Sequence, residues 1–145
     1  MKLLVQRVLS ADVSVNQKIT GKIGRGLLVF LGVEKNDTVA QADYLAHKLV
    51  NLRIFEDNNE KMNLSVQDIN GEILLISQFT LAANTSCGNR PGFDNAEKPE
   101  KAKQMYEYFI KKLEEKGISP QTGIFQADMK VRLINDGPAT FWLEK

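Results

Sequence analysis

Two short, almost unbroken apolar runs constrain this chain more than any other feature: LLVFLGV at 27–33 and GEILLISQFTL at 71–81. Both are shorter than the roughly 20 apolar residues of a membrane span, and their Val, Leu, Ile and Phe content reads as buried strand. Strands of this kind need a cover, and the sequence supplies two. From Asp37 the apolar residues recur at helical spacing, at Val39, Ala42, Leu45 or Ala46, Leu49 and Val50, with Asp37 or Thr38 available as a cap. A second helix is expected over 99–116, with Pro99 in its first turn, a stripe of Ala102, Met105, Tyr106, Phe109, Ile110 and Leu113, and Gly117 where a helix stops.

The remaining segments read as strands and turns. Residues 2–9 and 12–15 are rich in Val and Leu, QKITGKIGRG supplies turn glycines, and LRIF at 52–55 is strand-like before the polar turn EDNNEKMN. MKVRLIN at 129–135 alternates, with Met129, Val131 and Leu133 opposite Lys130 and Arg132, and the turn DGP leads to a last strand, ATFWL. The order is strands, helix, strands, helix, strands, without strict βαβ alternation. It predicts a mixed α/β (α+β) fold, a largely antiparallel sheet with two main packed helices. At 145 residues, 43% of them apolar, one domain over 1–145 is expected.

Charge and cysteine content narrow the function classes. Nineteen Lys and Arg against 18 Asp and Glu leave +1, so any surface for nucleic acid must be local. Cys87 and His47 are single residues, too few for a disulfide framework or a Cys/His zinc cluster. A reducing, cytoplasmic setting follows. Arg7 and Asp12 interrupt the start where a signal peptide would be apolar, and no association with a membrane is expected.

No familiar catalytic cluster is present. His47 sits in the first helical pattern and reads as a surface residue, and Cys87 lacks a CxxC partner. GKIGRG precedes a strand instead of opening a helix, which fails the context of a phosphate loop, and DNNEK lacks calcium-loop spacing. Two motifs remain. In SQFT at 77–80 the hydroxyl and amide groups of Ser77, Gln78 and Thr80 sit at a strand end, where backbone N–H groups can face a developing oxyanion. Taken alone, they read first as strand-end groups bonded to their neighbours. In NDGPAT at 135–140, Gly137-Pro138 makes either an ordinary turn or a rigid backbone device.

With VQRV at 5–8, IGRGLLVFLGV at 23–33, KMNLSV at 61–66, SQFTL at 77–81, RPGF at 90–93, ADMKV at 127–131 and NDGPAT at 135–140, the chain resembles the D-aminoacyl-tRNA deacylase family over essentially its whole length. The resemblance implies a barrel-like sheet and a homodimer that hydrolyses the ester joining a D-amino acid, or glycine, to the 3′-terminal adenosine of tRNA. It requires no cofactor and no metal. It places Ser77, Gln78, Phe79 and Thr80 beside the aminoacyl ester. It implies a cis Gly137-Pro138 peptide, flanked by Asn135 and Thr140, that reaches into the other subunit's site and leaves no room for an L side chain. Arg7 resembles the arginine that holds this motif, and Met129 the methionine near the site.

The chain departs from the family pattern in two places. AANTSCGNRPGF stands where the family reads close to YADTRKGRRPSF, so Ala82, Asn84, Ser86, Cys87 and Asn89 remove an aromatic, an acid and basic residues. Gln126 stands in GIFQADM where the pattern has glycine. Loss of loop charge should weaken contact with the RNA backbone. Two mechanisms remain open: hydrolysis assisted by the substrate's own 2′-hydroxyl, with the Phe79 amide positioning the ester, or direct attack by Thr80. A non-catalytic RNA-binding protein on the same scaffold is the alternative class, and a hydrolase of small D-aminoacyl esters a third.

Overall fold

The computed structural model describes residues 1–145. Its spine is β1 (Lys2–Val15), which pairs antiparallel along one edge with β8 (Met129–Glu144). Along its other edge it meets β3 (Gly26–Gly32) in its first half and β2 (Lys18–Ile23) in its second. The sheet then continues in parallel, from β3 to β6 (Glu72–Ser77) and from β6 to the two-residue β7 (Gln121–Thr122). Helix α1 (Val39–Val50) lies on the path from β3 to β6, and α2 (Pro99–Glu114) on the path from β6 to β7. Between α1 and β6 the chain makes a small separate hairpin, β4 (Phe55–Glu56) with β5 (Met62–Leu64).

The curl of the sheet brings its ends together. A Cβ on Gly21 of β2 would come within 2.6 Å of the Thr122 carbonyl oxygen of β7, so only glycine lets the two edge strands approach this closely. The result is a nearly closed, barrel-like sheet. Val8, Ala11, Val13, Ile23, Leu28, Leu74 and Ile76 fill its interior, with Met129 and Val131 packed against them. A larger core lies between the other face of the sheet and the helices, built around Leu3, Val29, Leu45, Leu49, Phe55, Leu75 and Phe109. Both apolar runs are thus covered on two sides, as their sequence requires.

Helix α1 starts in a capping box, with the Thr38 side chain accepting from Ala40 N and the Gln41 side chain accepting from Thr38 N. It buries Ala42, Leu45, Ala46, Leu49 and Val50, while Val39 is 50% exposed and lies off the stripe. Helix α2 buries Met105, Tyr106, Phe109 and Leu113, and the Tyr106 hydroxyl donates to the Leu75 carbonyl at 2.7 Å. Each side chain buried this fully is worth about 1.5–3 kcal/mol in transfer free energy.

Four boundaries differ from expectation. β1 runs unbroken through Ser10 and Ala11, and DGP does not end β8, which pairs with β1 on both sides of that turn. The strand expected to run to Leu81 stops at Ser77, and the chain enters a short 3-10 turn, Phe79–Ala82. Of LRIF, only Phe55 is in a strand.

The surface carboxylates of the β4–β5 region predict an acid limb of stability. The Asn63 side chain and the Asn59 and Lys61 N–H groups hold Asp57 below the usual carboxylate range, and the Ser65 N–H and hydroxyl do the same for Asp68. Folded pKa values below the unfolded ones contribute stability that is complete above the unfolded carboxylate range and is lost as pH falls through the folded values. Urea midpoints should therefore hold from pH 7 to about 5 and drop below about pH 4. The drop should be shallower in Asp57→Ala; equal pH dependence in the two proteins would rule out this contribution.

Candidate active site

A cavity of about 630 Å³ opens at the end of the barrel where β6 gives way to the 3-10 turn. Ser77, Gln78 and Phe79 form one side, Phe93, Ala96, Glu97, Pro99 and Ala102 a second, and Phe125 to Met129 a third, with Leu31, Val33, Ile76 and Val131 completing its lining. Gly32 makes the turn possible. A Cβ there would come within 2.8 Å of the Leu81 Cβ and 3.1 Å of the Gln78 carbonyl oxygen. The Gln78 N–H continues the parallel ladder by donating to Leu31 O at 2.8 Å.

Phe79 is the first residue of the 3-10 turn, a position whose N–H has no partner within the helix and is available to an oxygen in the cavity. Its ring is 56% exposed and lies 5.1 Å, centroid to centroid, from the ring of Phe93. Thr80 is exposed beside the cavity and is not part of its lining. Its hydroxyl accepts from Gln78 Nε2 at 2.5 Å. A carboxamide is not a base, so this contact orients the hydroxyl without activating it. Met129 lines the opposite wall, where its sulfur occupies the space that a Cβ on Gly123 would need.

Glu97 is a wall residue with no signal in the sequence. Its side chain is 9% exposed, and its carboxylate accepts from Lys101 Nζ and the Lys98 N–H, each at 2.8 Å. The Lys101 bond, then the Lys98 N–H, holds its pKa below the usual range, so it is ionised at neutral pH. For Phe93 the available signal is RPGF at 90–93, one of the motifs that carry the family resemblance.

Arg7, Asn135, Gly137, Pro138 and Thr140 form a second group that takes no part in lining this cavity. Pairing of β1 with β8 jumps from Gln6 with Thr140 to Val8 with Asn135, so Asp136 to Ala139 are pushed out of the ladder as a loop. Asn135 closes the loop like a surrogate strand partner: its Oδ1 accepts from Ala139 N at 2.8 Å, and its Nδ2 donates to Ala139 O and Thr140 Oγ1, each at 3.2 Å. Arg7 fastens the loop from below. It is 4% exposed, donates to the Ile54 carbonyl at 2.6 Å and the Asp136 carbonyl at 3.0 Å, and pairs with the Asp136 carboxylate at 3.4 Å. The Gly137-Pro138 peptide is cis and both residues are exposed. His47 lies on the solvent face of α1 and belongs to neither group.

Comparison with known proteins agrees with this architecture throughout. The D-Tyr-tRNA(Tyr) deacylase family profile matches residues 4–144. A D-aminoacyl-tRNA deacylase of Geotalea uraniireducens is 61% identical over 144 residues, spanning 99% of this chain and 93% of the relative. One from Yersinia pestis is 51% identical, with 99% of each chain covered. Among solved structures, one described as a c-Myc DNA unwinding element binding protein superposes with a TM-score of 0.94 at 40% identity, covering 100% of this chain and 99% of that one. A probable eukaryotic D-amino acid tRNA deacylase shares the fold, with a TM-score of 0.83 at 16% identity, over 99% of this chain and 98% of that one.

Proposed function

This chain belongs to the D-aminoacyl-tRNA deacylase family and is an enzyme that hydrolyses D-aminoacyl-tRNA, and from that premise we propose how its parts divide the work. The cavity takes the 3′-terminal aminoacyl-adenosine, with the ester beside Ser77, Gln78, Phe79 and Thr80. The exposed Gly137-Pro138 loop serves the cavity of a second copy, where its carbonyls crowd out an L side chain. Asn135, Thr140 and Arg7 hold the loop, and Met129 bounds the pocket. Glycyl-tRNA, with no side chain to exclude, is also a substrate. The working unit is a homodimer of single-domain chains, without cofactor, in the cytoplasm.

One observation carries this reading: Ser77, Gln78 and Phe79 line a cavity, whereas Gly137 and Pro138 stand elsewhere on the chain, on an exposed loop that lines none of it. Leu9, Ile134 and Trp142 are 51%, 57% and 47% exposed along β1 and β8, beside the loop, and form the kind of apolar surface that a second copy covers.

The chemistry follows from the groups at hand. Water adds to the ester carbon, the Phe79 N–H holds the developing oxyanion, and the bond to the ribose 3′-oxygen breaks. The adjacent 2′-hydroxyl of the substrate relays a proton from the attacking water to the leaving oxygen. This scheme gives Thr80 no nucleophilic role, a reading supported by its hydroxyl having the Gln78 amide, which is not a base, as its side-chain partner. The test uses D-tyrosyl-tRNA and L-tyrosyl-tRNA in parallel, with wild type and Thr80→Ala. Fast loss of the D ester alone, with the variant within about threefold of wild type in single turnover, is expected. Equal loss of both esters would remove the chiral role of the loop, and near-complete loss of activity in a folded Thr80→Ala would return the hydroxyl to the chemistry. Binding of tRNA with neither ester cleaved would point to an RNA-binding role.

A further inference from the structure

The wall of the cavity that leads into β8 contains a residue that its own backbone disfavours. The Ala127 N–H donates to the Ile124 carbonyl at 3.1 Å, closing a turn in which Gln126 is the third residue, with φ at +64°. Glycine or asparagine suits that position, because any Cβ there crowds the following carbonyl, a cost that glycine avoids and that asparagine offsets with a local side-chain hydrogen bond. Here the side chain is a glutamine. It is exposed and lines the cavity, and its carboxamide makes no hydrogen bond to the rest of the chain.

A residue held in a left-handed conformation at a ligand cavity, with its full set of donors and acceptors unspent, is placed to meet the ligand. The cavity has the size of a small-molecule site, and Phe79 and Phe93 offer an aromatic surface on which a flat ring can stack. The carboxylate on the neighbouring wall, Glu97, is already engaged by Lys101 and the Lys98 N–H. The Gln126 carboxamide is left free and carries both a donor and an acceptor with which to read an edge. Every tRNA ends in an unpaired adenosine, and the pairing that a glutamine makes with adenine is bidentate, accepting from the 6-amino group and donating to a ring nitrogen.

We propose that Gln126 is a specificity-determining residue that reads the terminal adenine of the substrate through its carboxamide. This rests on the deacylase reading above and adds to it the base-recognising group. The interaction is made equally in the ground and transition states, so it acts on KM and leaves kcat unchanged.

The experiment compares wild type and Gln126→Gly on D-tyrosyl-tRNA ending either in adenosine or in purine riboside, which lacks only the 6-amino group. Glycine is at ease in the turn, so the variant should melt at the same temperature or higher. Its KM for the adenosine-ended substrate should rise about tenfold with kcat retained. Removing the 6-amino group should raise the wild-type KM by a similar factor and should change the variant no further, the non-additivity expected when two deletions remove one contact. Equal KM values for the two proteins would overturn the proposal. So would two effects that multiply, which would mean that the turn altered the pocket without touching the base. A wild type that cleaves neither D ester would bring down the deacylase reading itself, and this proposal with it.

Discussion

Gly137→Ala is expected to melt several degrees below wild type and to lose its preference for the D ester at least tenfold, the equivalent of about 1.4 kcal/mol in transition-state discrimination. Gly137 has φ at +135°, a region that L residues rarely enter, and an added Cβ would stand 2.9 Å from Arg7 Nη2 and 3.0 Å from Ala139 N. Neither neighbour can give way cheaply. The first is a buried guanidinium bonded to two carbonyls, and the second is a backbone nitrogen bonded to Asn135. The loop must therefore move, at a cost of about 1–3 kcal/mol. Parallel D- and L-tyrosyl-tRNA assays with a thermal melt test both halves. A wild-type ratio in a protein with a lowered melting temperature would show that loop geometry does not set chirality.

Arg7→Met should have the larger effect on stability. The substitution keeps an apolar stem of similar length but strips the donors from the Ile54 and Asp136 carbonyls and the positive charge from between Asp136 and Glu56. Buried acceptors left without partners cost about 1–3 kcal/mol each, so a loss of roughly 2–4 kcal/mol is expected, read as a lower urea midpoint at unchanged slope. Arg7→Lys should recover only part of it. The two carbonyls lie on separate segments, and the fork of a guanidinium reaches both where a single ammonium reaches one. Full recovery by lysine would mean that charge alone matters at this position.

The helices were legible because their apolar stripes are long and their ends are marked, by Thr38 at one and by Pro99 and Gly117 at the other. The sheet was only partly legible. The parallel pairing of β3 with β6 was hidden because the β4–β5 hairpin separates α1 from β6, masking the strand–helix–strand order that announces a crossover, and that of β6 with β7 because β7 is only two residues long. NDGPAT looked like the end of a strand because Gly-Pro usually is one. Here Asn135 supplies from its side chain the hydrogen bonds that the ladder loses, so pairing resumes beyond the loop. SQFT stands out as a motif, but its usefulness depends on a change of backbone direction at Phe79 that the apolar run through Leu81 conceals. Glu97 could not be seen at all. Nothing distinguishes it from other acidic residues until Glu97 N–H meets the Val33 carbonyl and draws the residue onto the cavity wall.

The single strand β8 carries Met129 at the cavity and Gly137-Pro138 at the loop, and Met129 and the residues flanking the loop, Asn135 and Thr140, are registered on the same partner strand. At roughly 3.3 Å per residue that stretch works as a ruler. Point substitutions along it leave its length alone. An insertion or deletion of one residue moves the loop by a full ladder step and turns every side chain beyond it to the opposite face. Substitution at the exposed positions Lys130, Arg132, Leu133 and Ile134 should therefore be tolerated where a change in the number of residues is not, and changes of length are expected instead in segments that span nothing, such as the turn at 57–61 and the loop at 84–90.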